Sequence, residues 1–198
     1  MALVGLLGGS LVVGIFWPDA VRAVARELAD PIVMRRVEKF APGIRFAARE
    51  SSLDPNLLAA LVYSESSGRV GAVSKVKALG LLQLMPAAAS DSAKRIGVKV
   101  PTSKQLLEDA DLNLRLGASH FAWTLKHEEN DPLRALVAYN AGRTKLRRWV
   151  RKEGGYEAWL AKQRRDGDSA TLAYADRVLS YAENFRKRGN IILGSGEP

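Results

Sequence analysis

A carboxylate at the end of an apolar helical stripe is a place where acid chemistry can arise, and Glu65 is so placed. Val62, Leu61 and Leu58 stand three, four and seven residues before it. At 3.6 residues per turn these positions share one face. The spacing therefore aims the Glu65 carboxyl along the interior face of its helix. Burial disfavours the charged form of a carboxyl and raises its pKa. A glutamic acid that keeps its proton near neutral pH is what a general acid must be. Periodicity alone leaves a second reading open, because the helix ends next door and the side chain could turn out to solvent. Other chemistries lack their residues. With no cysteine and two histidines, the chain has no thiol nucleophile, no disulfide framework and no basis for a Cys- or His-rich metal centre. His120 and His127 form no ligand motif, and no His-Glu-x-x-His run is present. No metal and no cofactor are expected.

The elements that must position Glu65 read as helices throughout. No window shows period-2 alternation bounded by turns. Two short helices are expected at Ile32–Phe40 and Ile44–Ser51, split at Pro42-Gly43. Asp54-Pro55 is a cap followed by proline at the first helical position, and opens the helix that ends near Ser66. A glycine-containing loop and the run GLLQLMP follow, then a helix at Ala87–Ile96 and a short one from Pro101-Thr102-Ser103. Asp111–Glu128 has Leu114, Ala118, Phe121 and Leu125 on one face. Asp131-Pro132 repeats the cap signal for a helix to about Asn140, closed at Ala141-Gly142. The last helix, about Ser169 to Arg188, carries the stripe Tyr174, Val178, Tyr181 and Phe185. A loose tail is expected from Gly189.

Composition bounds what this framework can be. The 198 residues are 47% hydrophobic and 26% charged, an ordinary globular mixture. Lys plus Arg is 30 against 21 Asp plus Glu, a net +9 that favours an anionic partner. Residues Ala2–Trp17 carry no charge. Their length is close to a membrane span, and Ala23-Val24-Ala25 is a small-x-small cleavage candidate, so residues 1–25 read as a signal peptide or signal anchor. One observation opposes export: Arg22, Arg26, Arg35 and Arg36 follow the apolar run and no basic residue precedes it.

The stretch ESSGRVGAVSKVKALGLLQLMPAAA from Glu65, and AYNAG at 138–142, resemble the soluble lytic transglycosylase family, which shares its fold with goose-type lysozyme. Glu65-Ser66, Ser74, Ala78, Gly80-Leu81, Gln83 and Met85-Pro86 fit its first block without a gap. Asn113 fits a further position, and Tyr174 with Val178-Leu179 fits the terminal Tyr-x-x-x-Val-Leu piece. The resemblance covers roughly Ile44 to Phe185. It departs at Ser67-Gly68-Arg69-Val70, where an aromatic and Asn-Pro are usual. It departs again at Lys77, where glycine is usual, and at Ala170, where an acid is usual with only Asp168 nearby.

The resemblance implies an all-α, lysozyme-like domain over residues 44–188. A helical lead-in would occupy 26–43 and a tail 189–198. It implies cleavage of the β-1,4 bond between N-acetylmuramic acid and N-acetylglucosamine in peptidoglycan without water, leaving a 1,6-anhydro sugar. Glu65 would be the acid and then the base. Ordinary glycosidases need two carboxylates, and no second Asp or Glu has a comparable setting here. Tyr139 would hold or orient Glu65, and Gln83 would bond sugar groups. Ser66 would support the helix end and the site, Met85 would pack on a sugar face, and Asn140 would cap its helix or touch ligand. The implied partner is the glycan strand, in the bacterial envelope at its periplasmic side, with attachment through the N-terminus and no nucleic acid. Two rivals remain open: a muramidase on the same fold, and a weakly active glycan-binding or secretion-scaffold module, suggested by the altered loop. Finally, Arg143–Arg165 holds nine Lys/Arg and two Glu, interleaved with Trp149, Tyr156 and Trp159. This reads as a solvated helix face over core tryptophans, or as a patch for an anionic surface.

Overall fold

The computed structural model describes residues 31–189 and Ile191; the expected signal or anchor segment lies outside them. Ten helices carry the described chain, and no strand occurs among its residues. The central one is α3 (Pro55–Ser66). The Asp54 side chain accepts from the Asn56 N–H at 2.8 Å and Pro55 takes the first turn. From Asn56 to Tyr63 every residue is buried. A helix apolar on every side must be wrapped by others, and α2 (Ala41–Glu50) and α10 (Ala170–Arg188) pack against α3. The α10 stripe turns inward as its spacing predicts: Tyr174, Val178 and Phe185 are buried, and Tyr181 sets its ring 4.1 Å from that of Tyr63.

A second layer is built on α6 (Ala110–His127). Leu114, Ala118 and Phe121 are fully buried. Helix α2 packs on α6, and so do α4 (Pro86–Arg95), α5 (Ser103–Glu108) and α7 (Pro132–Ala141). Reciprocal bonds between Thr102 and Gln105 start α5, and Asp131 accepts from the first N–H groups of α7. The basic segment divides into α8 (Arg143–Lys152) and α9 (Tyr156–Asp166) around Gly154-Gly155. Trp159 is core, and the partly buried Trp149 packs on it with the rings parallel, 6.2 Å apart.

Two expectations change. Two helices open the described chain as expected, but the break between them falls at Lys39-Phe40. Pro42-Gly43 lies inside the first turn of α2, where a missing N–H costs nothing because no partner precedes it. The tail is not loose at its start. Ile191 is fully buried, and Arg45 Nη1 donates to its carbonyl at 3.2 Å. Nearby, Arg188 bonds Glu38 on α1 (residues 31–38) at 2.6 Å. The two ends of the described chain are thus bound together.

The loop between α3 and α4 is the least regular part and the most tightly held. Leu79 exchanges backbone bonds with Leu84 at 3.0 and 2.9 Å. The fully buried Asn113 of α6 supplies the rest. Its Oδ1 accepts from the Leu82 N–H at 2.9 Å, and its Nδ2 donates to the carbonyls of Leu79 and Leu106, both at 3.0 Å. Gly80 has φ +78°, and a Cβ there would stand 2.1 Å from Asn113 Nδ2. A Cβ on Gly117 would stand 2.3 Å from the Leu82 side chain. The loop therefore sits directly on α6. Removing Asn113 strands one buried donor and two acceptors, each worth about 1–3 kcal/mol. We expect Asn113→Ala to lose roughly 3 kcal/mol of unfolding free energy in urea titration. A loss below about 1 kcal/mol would show that the loop does not hang from this amide.

Candidate active site

Glu65 is the penultimate residue of α3, partly buried where the apolar stripe ends. The turn behind it is closed by Ser66 and Ser67. The Ser66 hydroxyl donates to the Val62 carbonyl at 3.1 Å and accepts from the Gly68 N–H at 3.2 Å. The Ser67 carbonyl accepts from Arg36 of α1 at 3.2 Å. Burial pushes the Glu65 carboxyl up from 4.5 to about 7, partly offset by a hydrogen bond donated by the Tyr174 hydroxyl to Oε1. No second carboxylate contributes to that shift. Tyr174 is itself buried, and burial with the neighbouring Glu65 charge raises its pKa well above 10.0. A phenol so placed stays protonated and is able to donate to the Glu65 carboxylate.

The residue that holds Glu65 is therefore Tyr174, not Tyr139. Tyr139 lies close enough for the Glu65 charge to raise its pKa. Its hydroxyl, however, donates to the Leu82 carbonyl at 2.7 Å and so fastens the loop from the side opposite Asn113's contacts with the Leu82 N–H. Tyr174 was readable as a member of the α10 stripe and of the Tyr-x-x-x-Val-Leu piece. Neither signal distinguishes a core phenol from one aimed at an acid.

The other expected contacts divide. Met85 is 45% exposed and lines a cavity of about 460 Å³ with Tyr139, available for packing against a ligand. Asn140 is exposed. Ser66 is buried at 1% exposure with both its bonds on backbone, so it supports the helix end and offers nothing to a sugar. Gln83 spends its amide nitrogen on the carbonyls of Ala72 at 3.1 Å and Gly80 at 2.9 Å. A sugar would have to use its Oε1. Ser74 Oγ accepts from the Ala78 N–H at 2.9 Å and closes a tight turn. Lys77, where the family pattern has glycine, takes φ 63° within it, a left-handed conformation that glycine adopts more cheaply.

Beyond Tyr139 the wall is aromatic and basic. The His120 ring stands 5.5 Å from that of Tyr139, and burial pushes its pKa down to about 4, so it is neutral at neutral pH. Arg143 lies over Trp123 at 4.6 Å. It is held there by Glu128, which is 1% exposed and accepts from Arg143 Nε at 2.8 Å and Arg134 Nε at 3.0 Å. Among the described residues no cluster of His, Asp or Glu is placed to hold a metal, and no helix is long and apolar enough to cross a membrane.

The Glu65 environment has a pH signature. The folded pKa lies above the unfolded 4.5, so the native state keeps the proton between about 4.5 and about 7, and stability falls as pH rises through that window. We expect Glu65→Gln to be more stable than the parent by roughly 2–3 kcal/mol at about pH 8. The difference should shrink to near zero below about pH 5. Urea titrations at both values check this, and equal stability at the higher pH would mean the carboxyl is solvated. Tyr174→Phe, which deletes the donor, should raise the Glu65 pKa further in a carboxyl-carbon NMR titration.

Comparison with known proteins gives concordant matches. The family model described as Transglycosylase SLT domain matches residues 43–162, a span that includes Glu65 and Tyr139 but ends before Tyr174. The soluble lytic murein transglycosylase of Escherichia coli K12 is 28% identical over 127 residues, covering 64% of this chain and 20% of that protein. The membrane-bound lytic murein transglycosylase C of Actinobacillus succinogenes is 34% identical over 94 residues, covering 47% of this chain and 26% of that one. This chain thus spans only about a fifth to a quarter of these two relatives. Among solved structures, an inactive glutamate-to-glutamine mutant of the lytic transglycosylase Slt from Pseudomonas aeruginosa superposes with a TM-score of 0.66 at 27% identity, covering 76% of this chain and 24% of that one. The 70 kDa soluble lytic transglycosylase of Escherichia coli superposes with a TM-score of 0.65 at 24% identity, covering 74% of this chain and 24% of that one, a likeness of fold.

Proposed function

The chain belongs to the transglycosylase SLT domain family, and from that premise we propose that it cleaves peptidoglycan as a lytic transglycosylase, with Glu65 as its one acid and base. The observation that carries the reading is the Glu65 carboxyl itself, desolvated, held by Tyr174 and raised to about 7. A group with that pKa is populated in both protonation states near neutrality, as a residue that must first give and then take a proton requires. Protonated Glu65 delivers its proton to the oxygen of the β-1,4 bond between N-acetylmuramic acid and N-acetylglucosamine. The C1–O bond breaks, and the substrate's own acetamido group stabilises the cationic C1. Glu65, now a carboxylate, removes the proton of the 6-hydroxyl as that oxygen bonds C1. The 1,6-anhydro ring closes and Glu65 regains its proton. Tyr174 donates to Oε1 throughout and stabilises the carboxylate stage.

Hydrolysis ordinarily uses two carboxylates, and no second Asp or Glu of the sequence has a motif setting like that of Glu65, which supports this route. The glutamate-to-glutamine mutant named inactive in the Pseudomonas aeruginosa relative is of the kind this role requires. We assign the work of the protein to the bacterial cell envelope, where that glycan lies. The apolar stretch Ala2–Trp17 is the segment suited to export or to membrane attachment.

Incubation of the full chain with purified sacculi, followed by mass spectrometry, tests the assignment. We expect soluble fragments lighter by one water than hydrolysis products, and release by Glu65→Gln reduced at least about 100-fold with its circular dichroism unchanged. Reducing ends would make the protein a muramidase. Binding to sacculi without release would make it a glycan-binding module.

A further inference from the structure

The cavity that holds Met85 and Tyr139 continues past His120, Ala138 and Ala141 to the first turns of α8, where Arg143, Lys145 and Arg147 line it. No Asp or Glu lines it. Arg143 is committed to the buried Glu128. Lys145 and Arg147 are exposed, and neither makes an ion pair among the described residues. Elsewhere many surface cations are matched. Arg115 pairs with Glu50, Arg164 with Asp176, Arg186 with Asp54, and Lys162 with Glu153. Glu65 does not line this cavity, but Tyr139 does, and Tyr139 lies near enough for the Glu65 charge to raise its pKa. A cavity so linked to the acid and ending in two unmatched cations has the complementary charge for an anion on the molecule that Glu65 acts on.

We propose that this cavity binds a carboxylate on the peptide substituent of the glycan strand, with Lys145 and Arg147 as the residues that recognise it. The inference rests on the assignment of peptidoglycan as substrate. In a peptide-bearing strand the lactyl carboxyl is consumed in the amide to the peptide and the acetylated rings carry no other acid, so the anionic group comes from the peptide. Glu128 contributes by holding Arg143 against Trp123, which keeps one cation of the wall from swinging into the space the ligand needs. The remaining basic residues of α8, Arg148, Arg151 and Lys152, do not line the cavity, which favours a substrate group over a broad anionic membrane surface as the occupant. The consequence is specificity: strands whose peptides end in free carboxylates bind better than strands whose peptide carboxylates are amidated.

The test uses the full chain carrying Glu65→Gln, so that ligand is bound and not consumed. Its affinity is measured by calorimetry for a disaccharide–tetrapeptide repeat with free carboxylates, and for the same repeat with those carboxylates amidated. Two partly exposed pairs contribute on the order of 1 kcal/mol together, so the free acid should bind roughly fivefold tighter. The ratio should fall towards one in K145Q/R147Q, and towards one in the parent at high salt. A parent ratio of one overturns the proposal, and so does a fivefold ratio that survives in K145Q/R147Q. Vesicles of phosphatidylglycerol provide a control. A ratio of one, together with vesicle binding lost in K145Q/R147Q, would assign the cations to lipid instead. Failure of the unsubstituted chain to release fragments from sacculi would overturn the catalytic assignment alone, because the affinity ratio is read without cleavage.

Discussion

The constraint on which this structure depends is that a carboxyl must be kept out of water without being neutralised by a cation. An arginine beside Glu65 would hold it ionised and lower its pKa. The protein meets the constraint by ending its most buried helix one residue after the acid and by supplying a neutral donor, Tyr174, from α10. Desolvation and the phenol act in opposite directions, and desolvation is the larger. The abundant cations are kept elsewhere. Those of the first α8 turns line a neighbouring cavity, and Arg36 touches the backbone behind the acid and not its carboxyl.

A similar division of labour governs the loop after α3. An irregular segment near a site must satisfy its backbone groups without a ladder or a helix. Here two side chains grip one residue, Asn113 at the Leu82 N–H and Tyr139 at the Leu82 carbonyl. Both come from helices of the main body, so the loop inherits their rigidity. Gln83 closes the loop on itself. Residues whose types suggest ligand contact therefore serve first to shape the backbone that a ligand would meet.

Much of this was legible in the sequence, and for identifiable reasons. The caps at Asp54 and Asp131, the α6 stripe and the α10 stripe are local patterns, and the helices follow them. The raised pKa of Glu65 follows from the same periodicity, since i−3, i−4 and i−7 are fixed by helix geometry alone. The break between the first two helices falls at Lys39-Phe40 and not at Pro42-Gly43, because a proline in the first turn is as compatible with a start as with a break. The exchange of Tyr139 for Tyr174 had a different cause. Both are aromatic residues on packed faces, and which hydroxyl meets the carboxyl depends on how α10 lies across α3, a relation between residues 109 positions apart. Spacing within one helix holds no information on that.

The bonds that join Arg188 to Glu38 and Arg45 to Ile191 have a consequence for the architecture of longer proteins. They place the entry and exit of the described fold side by side. A unit whose two ends meet occupies a single attachment point on whatever carries it, and can be spliced into a host chain, or re-cut at another surface loop, with its interior contacts kept. The geometry is that of a portable module. It fits the observation that similar segments make up only a fifth to a quarter of the larger lytic transglycosylases compared above.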